Sequence, residues 1–179
     1  MAIFVVMCAA AVPFSHSMID RSRTFGAAYY ISGRIALARM EAIKRSTFVA
    51  IQFVKKNDGY WFRTYLDGNR NGVLSRDIDR GIDRPITTEL RLDQQFPNVT
   101  FGIHPDVTGF VLGEAFNRSD PIQIGNSTLM SFNPNGSSTA GTLYIRGQRA
   151  NQFAVRVLGT TARSRIFHFD FQGGQWRTP

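Results

Sequence analysis

ISGRIALARMEAIKRSTFVAI, residues 31–51, changes its period in the middle. Up to Ser46 the apolar residues recur every three or four positions, as on one face of a helix; from Thr47 to Val54 they are β-branched and aromatic, as in a strand. A helix that hands over to a strand without a linker sets the plan for the rest of the chain. Upstream, Phe25, Ala28, Tyr29, Ser32, Ile35, Ala36, Met40 and Ile43 form one stripe that needs a partner, and Arg21, Arg34 and Arg45 fall on the opposite, solvated side. Glu41 and Arg45 are spaced to support each other at i,i+4. Downstream, Asn57-Asp58-Gly59 is a hairpin turn and residues 60–66 a second strand. Further strands are expected at 86–92, 99–103, 128–132, 141–145, 153–158 and 165–171, while 104–126, with its glycines and two prolines, reads as a long loop or flap. One long helix followed by many short strands is an α+β plan, a helix (1–46) laid on an antiparallel β domain (47–179).

Composition narrows the alternatives. With 179 residues, 43% of them hydrophobic, the chain can bury one proper core. Its net charge of +8 is carried almost wholly by arginine, with Lys44, Lys55 and Lys56 the only lysines. Arginine's planar fork suits carboxylate and phosphate, so an acidic partner such as nucleic acid or a neighbouring subunit is compatible; a solvated arginine-rich surface explains the charge equally well. Cys8 stands alone, which excludes an intrachain disulfide and a cysteine-based metal site. The apolar start holds Ile3, Phe4, Val5, Val6 and Val12 ahead of Pro13, a residue that starts or kinks a helix. From Ala2 to Val12 it offers about 16 Å of helix at ~1.5 Å per residue, roughly half of a bilayer core. No charged segment precedes it and no small-residue cleavage site follows, unlike a secretory signal.

Residues suited to chemistry are sparse. No G-x-S-x-G, H-E-x-x-H or phosphate-loop pattern occurs, and His16, His104 and His168 are the only histidines. His168 and Asp170 share a strand face at i,i+2, a pattern that marks a polar face more often than an acid–base or metal site, so an enzyme is not expected. Asp67, Asn69, Asn71 and Gly72 reproduce the first half of a calcium loop. The second half fails: Ile78 stands where the bidentate glutamate belongs, Asp77 and Asp79 flank it, and Arg70 adds a positive charge. Calcium held by Asp67, Asn69, Asn71 and Asp77 is one reading, an Asx turn at a hairpin tip the other. Arg163 and Arg165 project from one side at i,i+2, spaced to meet phosphates, and Arg156, Arg146, Arg149 and Arg177 extend that patch if the strands bring them together. Trp61, Phe62 and Trp176 are expected in the core.

Several of these stretches resemble the GspH/FimT group of type II secretion pseudopilins and minor type IV pilins. They are IALARMEAIKRSTFVAI (35–51), YWFRTYLDGNRNG (60–72), FNPNG (132–136), GTLYI (141–145) and VRVLGTTARSRI (155–166), which cover nearly the whole chain in the family's order. The resemblance implies a non-enzymatic subunit with a single helix in the bacterial inner membrane. Its β domain would lie in the periplasm or on a pilus or pseudopilus, its partners would be other pilin or pseudopilin subunits, and it would take no small-molecule substrate. Such subunits begin with a basic leader, a glycine before the cleavage point, a methylated aromatic residue and a glutamate soon after, so this chain is expected to be truncated, with Met1 inside the membrane helix. Family members often carry Gly-Arg-x-Arg near the end, a region associated with binding double-stranded DNA in FimT-like minor pilins of naturally competent bacteria. Arg163 and Arg165 match that motif and Ala162 replaces its glycine. A structural pseudopilin is the first expectation and a DNA-binding minor pilin acting in DNA uptake the alternative.

Overall fold

The computed structural model describes residues 2–110, 116–125 and 127–179, with side chains of the first helix described from Met18 onward. The expected anchor residues Ile3, Phe4, Val5, Val6, Val12 and Pro13 thus lie outside the described side chains, as does His16. Helix α1 (Ala2–Arg45) ends where Ser46 takes φ 49°. A residue in this left-handed conformation stops a helix, and the amide of Thr47 donates to the freed carbonyl of Ala42 at 3.2 Å. Lys44 and Arg45 in the last turn oppose the negative end of the helix dipole.

Two antiparallel sheets follow. In the first, β1 (Val49–Lys56) pairs with β2 (Gly59–Leu66) across the 57–58 turn and with β7 (Leu129–Phe132) on its other side; β3 (Arg84–Pro85) and β4 (Leu90–Arg91) pair with β2. The second runs in the order β11 (Gln175–Arg177), β10 (Arg163–Asp170), β9 (Gln152–Leu158), β8 (Gly141–Arg146), β5 (Thr100–Phe101), with β6 (Ile122–Gln123) also on β8. Val49, Ile51 and Phe53 alternate along β1, and Phe153, Val155 and Val157 along β9; these two rows close on α1 from the two sheets as one core. Phe101 bridges the sheets, its ring 5.6 Å from that of Phe53 and 6.1 Å from that of Phe62.

The face α1 turns inward differs from the expected stripe. Ala27, Ala28, Ile31, Ile35, Ala38 and Ala42 are buried, whereas Tyr29 and Met40 are 56% and 64% exposed and Ala36 and Ile43 also face out. The four alanines let the helix backbone approach two sheets at once, and Ile31 and Ile35 fill the space between them. Ser32 and Ser164 share a hydrogen bond at 2.7 Å, and Arg39 Nε donates to the carbonyl of Gly136 at 3.2 Å. Asp20, 7% exposed, accepts from the amides of Gln148 (3.0 Å) and Arg149 (3.1 Å) and from Asn151 Nδ2 (2.6 Å). These attachments fix the register of helix on sheet at both ends.

Other expectations change too, and the strand expected at 99–103 shortens to β5. The strand expected at 86–92 shrinks to β4, because helix α3 (Leu92–Gln95) starts at Leu92 and buries it. The flap is only in part a loop: β6 lies within it, and Val107, Ile122 and Ile124 are buried. Its Phe110 stacks on Trp176 at 4.6 Å, covering the side of the second sheet that faces away from α1. Trp176 therefore joins this outer aromatic layer, its Nε1 donating to the carbonyl of Thr108 at 2.9 Å, and burial in the same layer pushes the Tyr144 phenol up to about 12. Trp61 is not core either: it lies half-exposed with Lys56 Nζ 4.8 Å and the Arg91 guanidinium 5.3 Å from its ring, while Phe62 is buried as expected.

Candidate functional site

Two surfaces carry residues in functional combinations. One is the exposed side of α1. Tyr29, Gly33, Ala36, Met40 and Ile43 are spaced four, three, four and three apart, the repeat of a single helix face, and all five are exposed. Leu37, 54% exposed, widens the stripe. A helix whose inner face is already covered by two sheets thus carries a second apolar face that is wide enough for a partner helix.

The other is the arginine face of the second sheet. Strand register sets Arg165 directly opposite Arg156, and Arg163 two positions along the same face of β10. All three side chains are exposed, and none is in an ion pair among the described residues. The Arg156 guanidinium also lies 5.3 Å from the ring centre of Phe110. The remaining arginines of the expected patch lie elsewhere. Arg146 is at the opposite end of β8, Arg149 is in the turn clasped by Asp20, and Arg177 is tied to Asp170 at 2.9 Å. Ala162, at the glycine position of the motif, takes φ 49° and is buried, so the turn keeps the glycine's conformation with an alanine in it.

His168 and Asp170 share a face of β10 as their spacing implies, yet their side chains engage different partners. Hydrogen bonds from the amides of Gly173 and Gln172 (3.0 Å for the latter), helped by the Arg177 ion pair, hold the Asp170 carboxyl below the usual range. Burial pushes the His168 imidazole down, its ring 5.1 Å from Phe153. This is packing, not an acid–base pair.

The Asp67 loop gathers all four candidate calcium ligands. Asp67 accepts from the amides of Asn69 (3.0 Å), Arg70 (2.8 Å) and Gly72 (2.8 Å); Asp77, in helix α2 (Ser75–Asp79), accepts from Asn71 Nδ2 (3.0 Å) and Asn69 Nδ2 (3.3 Å). Asp83, outside the motif that the sequence presents, accepts from Gly68 N (3.0 Å) and Leu74 N (2.9 Å) and closes the loop from its far side. Among the described residues no group of three or more His, Cys, Asp or Glu side chains is arranged to hold a metal ion. The loop also has packing to do: Val73 and Ile78 cover Ala50 and Leu129 on the outer side of the first sheet.

A family model described as Type II transport protein GspH matches residues 27–161, from the buried face of α1 through both sheets to the turn before β10. The chain belongs to the GspH family. No curated protein and no solved structure matches it. The GspH match gives a pseudopilin role in type II secretion, in a family of structural proteins that assemble with other pseudopilins. It starts at Ala27, where the alanine face meets the sheets, and ends at Thr161, so Arg163 and Arg165 lie beyond it. Among the described residues no helix is long and apolar enough to cross a membrane.

Proposed function

We propose that this GspH-family chain is a minor pseudopilin that enters the pseudopilus through α1, with Tyr29, Gly33, Ala36, Met40 and Ile43 set against the helices of neighbouring subunits. The apolar segment ahead of α1's described side chains holds the subunit in the inner membrane before assembly, and the β domain faces the periplasm. The observation that carries this reading is the second apolar face of α1. A helix with a single apolar side would be fully served by the two sheets; a second side gains stability only by burial against another chain, at roughly 25 cal/mol per Å² of apolar area before ordering costs. Met40→Asp in the full chain tests it. The expected result is loss of co-assembly with the other pseudopilins and of secretion, with the domain's Tm unchanged; normal assembly by this variant would overturn the reading.

A second reading is favoured by one specific observation, the Arg156–Arg165 pair. Like charges directly opposite each other on neighbouring strands destabilise a sheet unless an anion lies between them. Duplex DNA supplies such anions, and a DNA-binding minor pilin would use Arg156, Arg163 and Arg165 together. Binding should weaken steeply with salt, and Arg163→Ala/Arg165→Ala should make the log–log slope shallower by about two units, near 0.9 for each phosphate that is no longer neutralised. Binding unaffected by the double variant would remove this reading.

For the Asp67 loop the reading is a structural turn, since hydrogen bonds engage its carboxylates. Calcium-dependent thermal stabilisation, lost in Asp77→Asn, would replace it with a calcium site.

A further inference from the structure

We infer that the end of the domain where α1 enters it docks on the anionic headgroups of a lipid bilayer, through Arg21, Arg23 and Arg149 with Met18 and Ile19 beside them. The Asp20 clasp builds this surface. By accepting from the amides of Gln148 and Arg149 it draws the β8–β9 turn against the helix turn that carries Arg21 and Arg23. The approach is close enough to require glycine next in the turn: a Cβ on Gly147 would lie 2.4 Å from Thr24 Oγ1 and 2.8 Å from Asp20 Oδ1. Arg23 and Arg149, distant in sequence, thereby line one recess at this end of the domain, and Arg21 lies on another side of the same helix turn.

Charge complementarity selects the partner. Arg21, Arg23 and Arg149 are exposed, and none is in an ion pair among the described residues. The nearest carboxylate, Asp20, is turned inward and engaged, and Asp170, at the same end of the second sheet, is held by Arg177. Beside these cations Met18 is 63% and Ile19 45% exposed, and a recess lined by Ile19, Asp20, Arg23, Asn98, Gln148 and Arg149 opens there, its one carboxylate engaged by the β8–β9 turn. Cations next to exposed apolar side chains suit a phosphate layer above acyl chains; a nucleic acid backbone would leave Met18 and Ile19 unused. The arginine face proposed for DNA lies toward the opposite end of β9, about 13 to 20 Å along the strand from Gln152 at ~3.3 Å per residue. The inference rests on the reading that the apolar segment before Met18 sits in the membrane, which would bring this end of the domain to the bilayer surface.

The test is flotation of the full chain with phosphatidylcholine vesicles, with and without phosphatidylglycerol, at low and high salt. Phosphatidylglycerol should strengthen binding about fivefold per arginine, on the order of 100-fold for three, and high salt should remove the gain. The variant Arg21→Gln/Arg23→Gln/Arg149→Gln should lose it. Arg156→Gln/Arg163→Gln/Arg165→Gln, an equal change of net charge at the other end, should keep it. Equal losses in the two variants, or no gain from phosphatidylglycerol, would overturn the inference. Anchoring is read separately, from alkali-resistant binding to neutral vesicles: a chain that responds to phosphatidylglycerol yet fails there sinks the anchor reading and keeps this one.

Discussion

Along α1 the side turned to the sheets carries Ala27, Ala28, Ile31, Ile35, Ala38 and Ala42, while the side turned away carries Tyr29, Leu37, Met40 and Ile43. Both are apolar; they differ in bulk. The inner side fits because two sheets converge on it, with alanines where the backbone comes close and Ile31 and Ile35 filling the space between, whereas the bulky side has no cover among the described residues. An amphipathic helix ordinarily shows one such side. A helix with two, one rich in alanine and one with Tyr29, Leu37, Met40 and Ile43, is suited to be packed twice, first on its own domain and then in an assembly.

The sharpest way to break that comparison is to truncate one residue on each side. Ile35→Ala should cost about 2–5 kcal/mol of domain stability, because it leaves a cavity between α1 and both sheets. Met40→Ala should change stability by less than about 0.5 kcal/mol. Chemical denaturation of both variants checks this, and equal losses would mean that the two sides are not distinct. Next in size is Asp20→Ala, which leaves the amides of Gln148 and Arg149 and the Asn151 side chain without their acceptor and should cost about 2 kcal/mol. Its signature is raised hydrogen exchange in residues 147–151.

A smaller effect concerns pH. The hydrogen bond from Asn71, seconded by one from Asn69, outweighs burial and holds the Asp77 carboxyl below the usual carboxylate range. A folded pKa below the unfolded one gives stability that is present above the unfolded value, about 3.9, and is lost as pH falls through the folded value. Asp77→Asn should therefore flatten the acid limb of the stability curve, as measured by urea unfolding at stepped pH. Smallest is Ala162→Gly. Relief of the left-handed backbone, about 1 kcal/mol, is opposed by loss of a buried methyl worth about 0.8 kcal/mol, so Tm should move by no more than about a degree. A large loss of stability would show that the Ala162 methyl matters more than the turn.

Much of the fold was legible because its signals are local. Ser46 ends α1 where the apolar period changes, and Asn57-Asp58-Gly59 turns β1 into β2. The strands expected at 141–145 and 153–158 lie within β8 and β9. Less was legible where the partner is far away in sequence. Asp20, flanked by Ile19 and Arg21, has no local signature; its meaning comes from amides 128 and 129 residues later. Asp83 closes the Asp67 loop from outside the motif. Of the six arginines grouped by sequence, register brought Arg156 to Arg165 and left Arg146, Arg149 and Arg177 apart.

The amino-acid order by itself determined the helix-then-strands plan, the hairpin and the residue types of the arginine motif, since these follow from spacing along one segment at a time; the GspH family came from the likeness of whole stretches of sequence. Only the tertiary structure decided which apolar side of α1 is buried, which arginines share a face and what Asp20 holds. Burial depends on whether side-chain size matches the space between two sheets, and cross-strand neighbours depend on register, and neither quantity exists until distant segments meet.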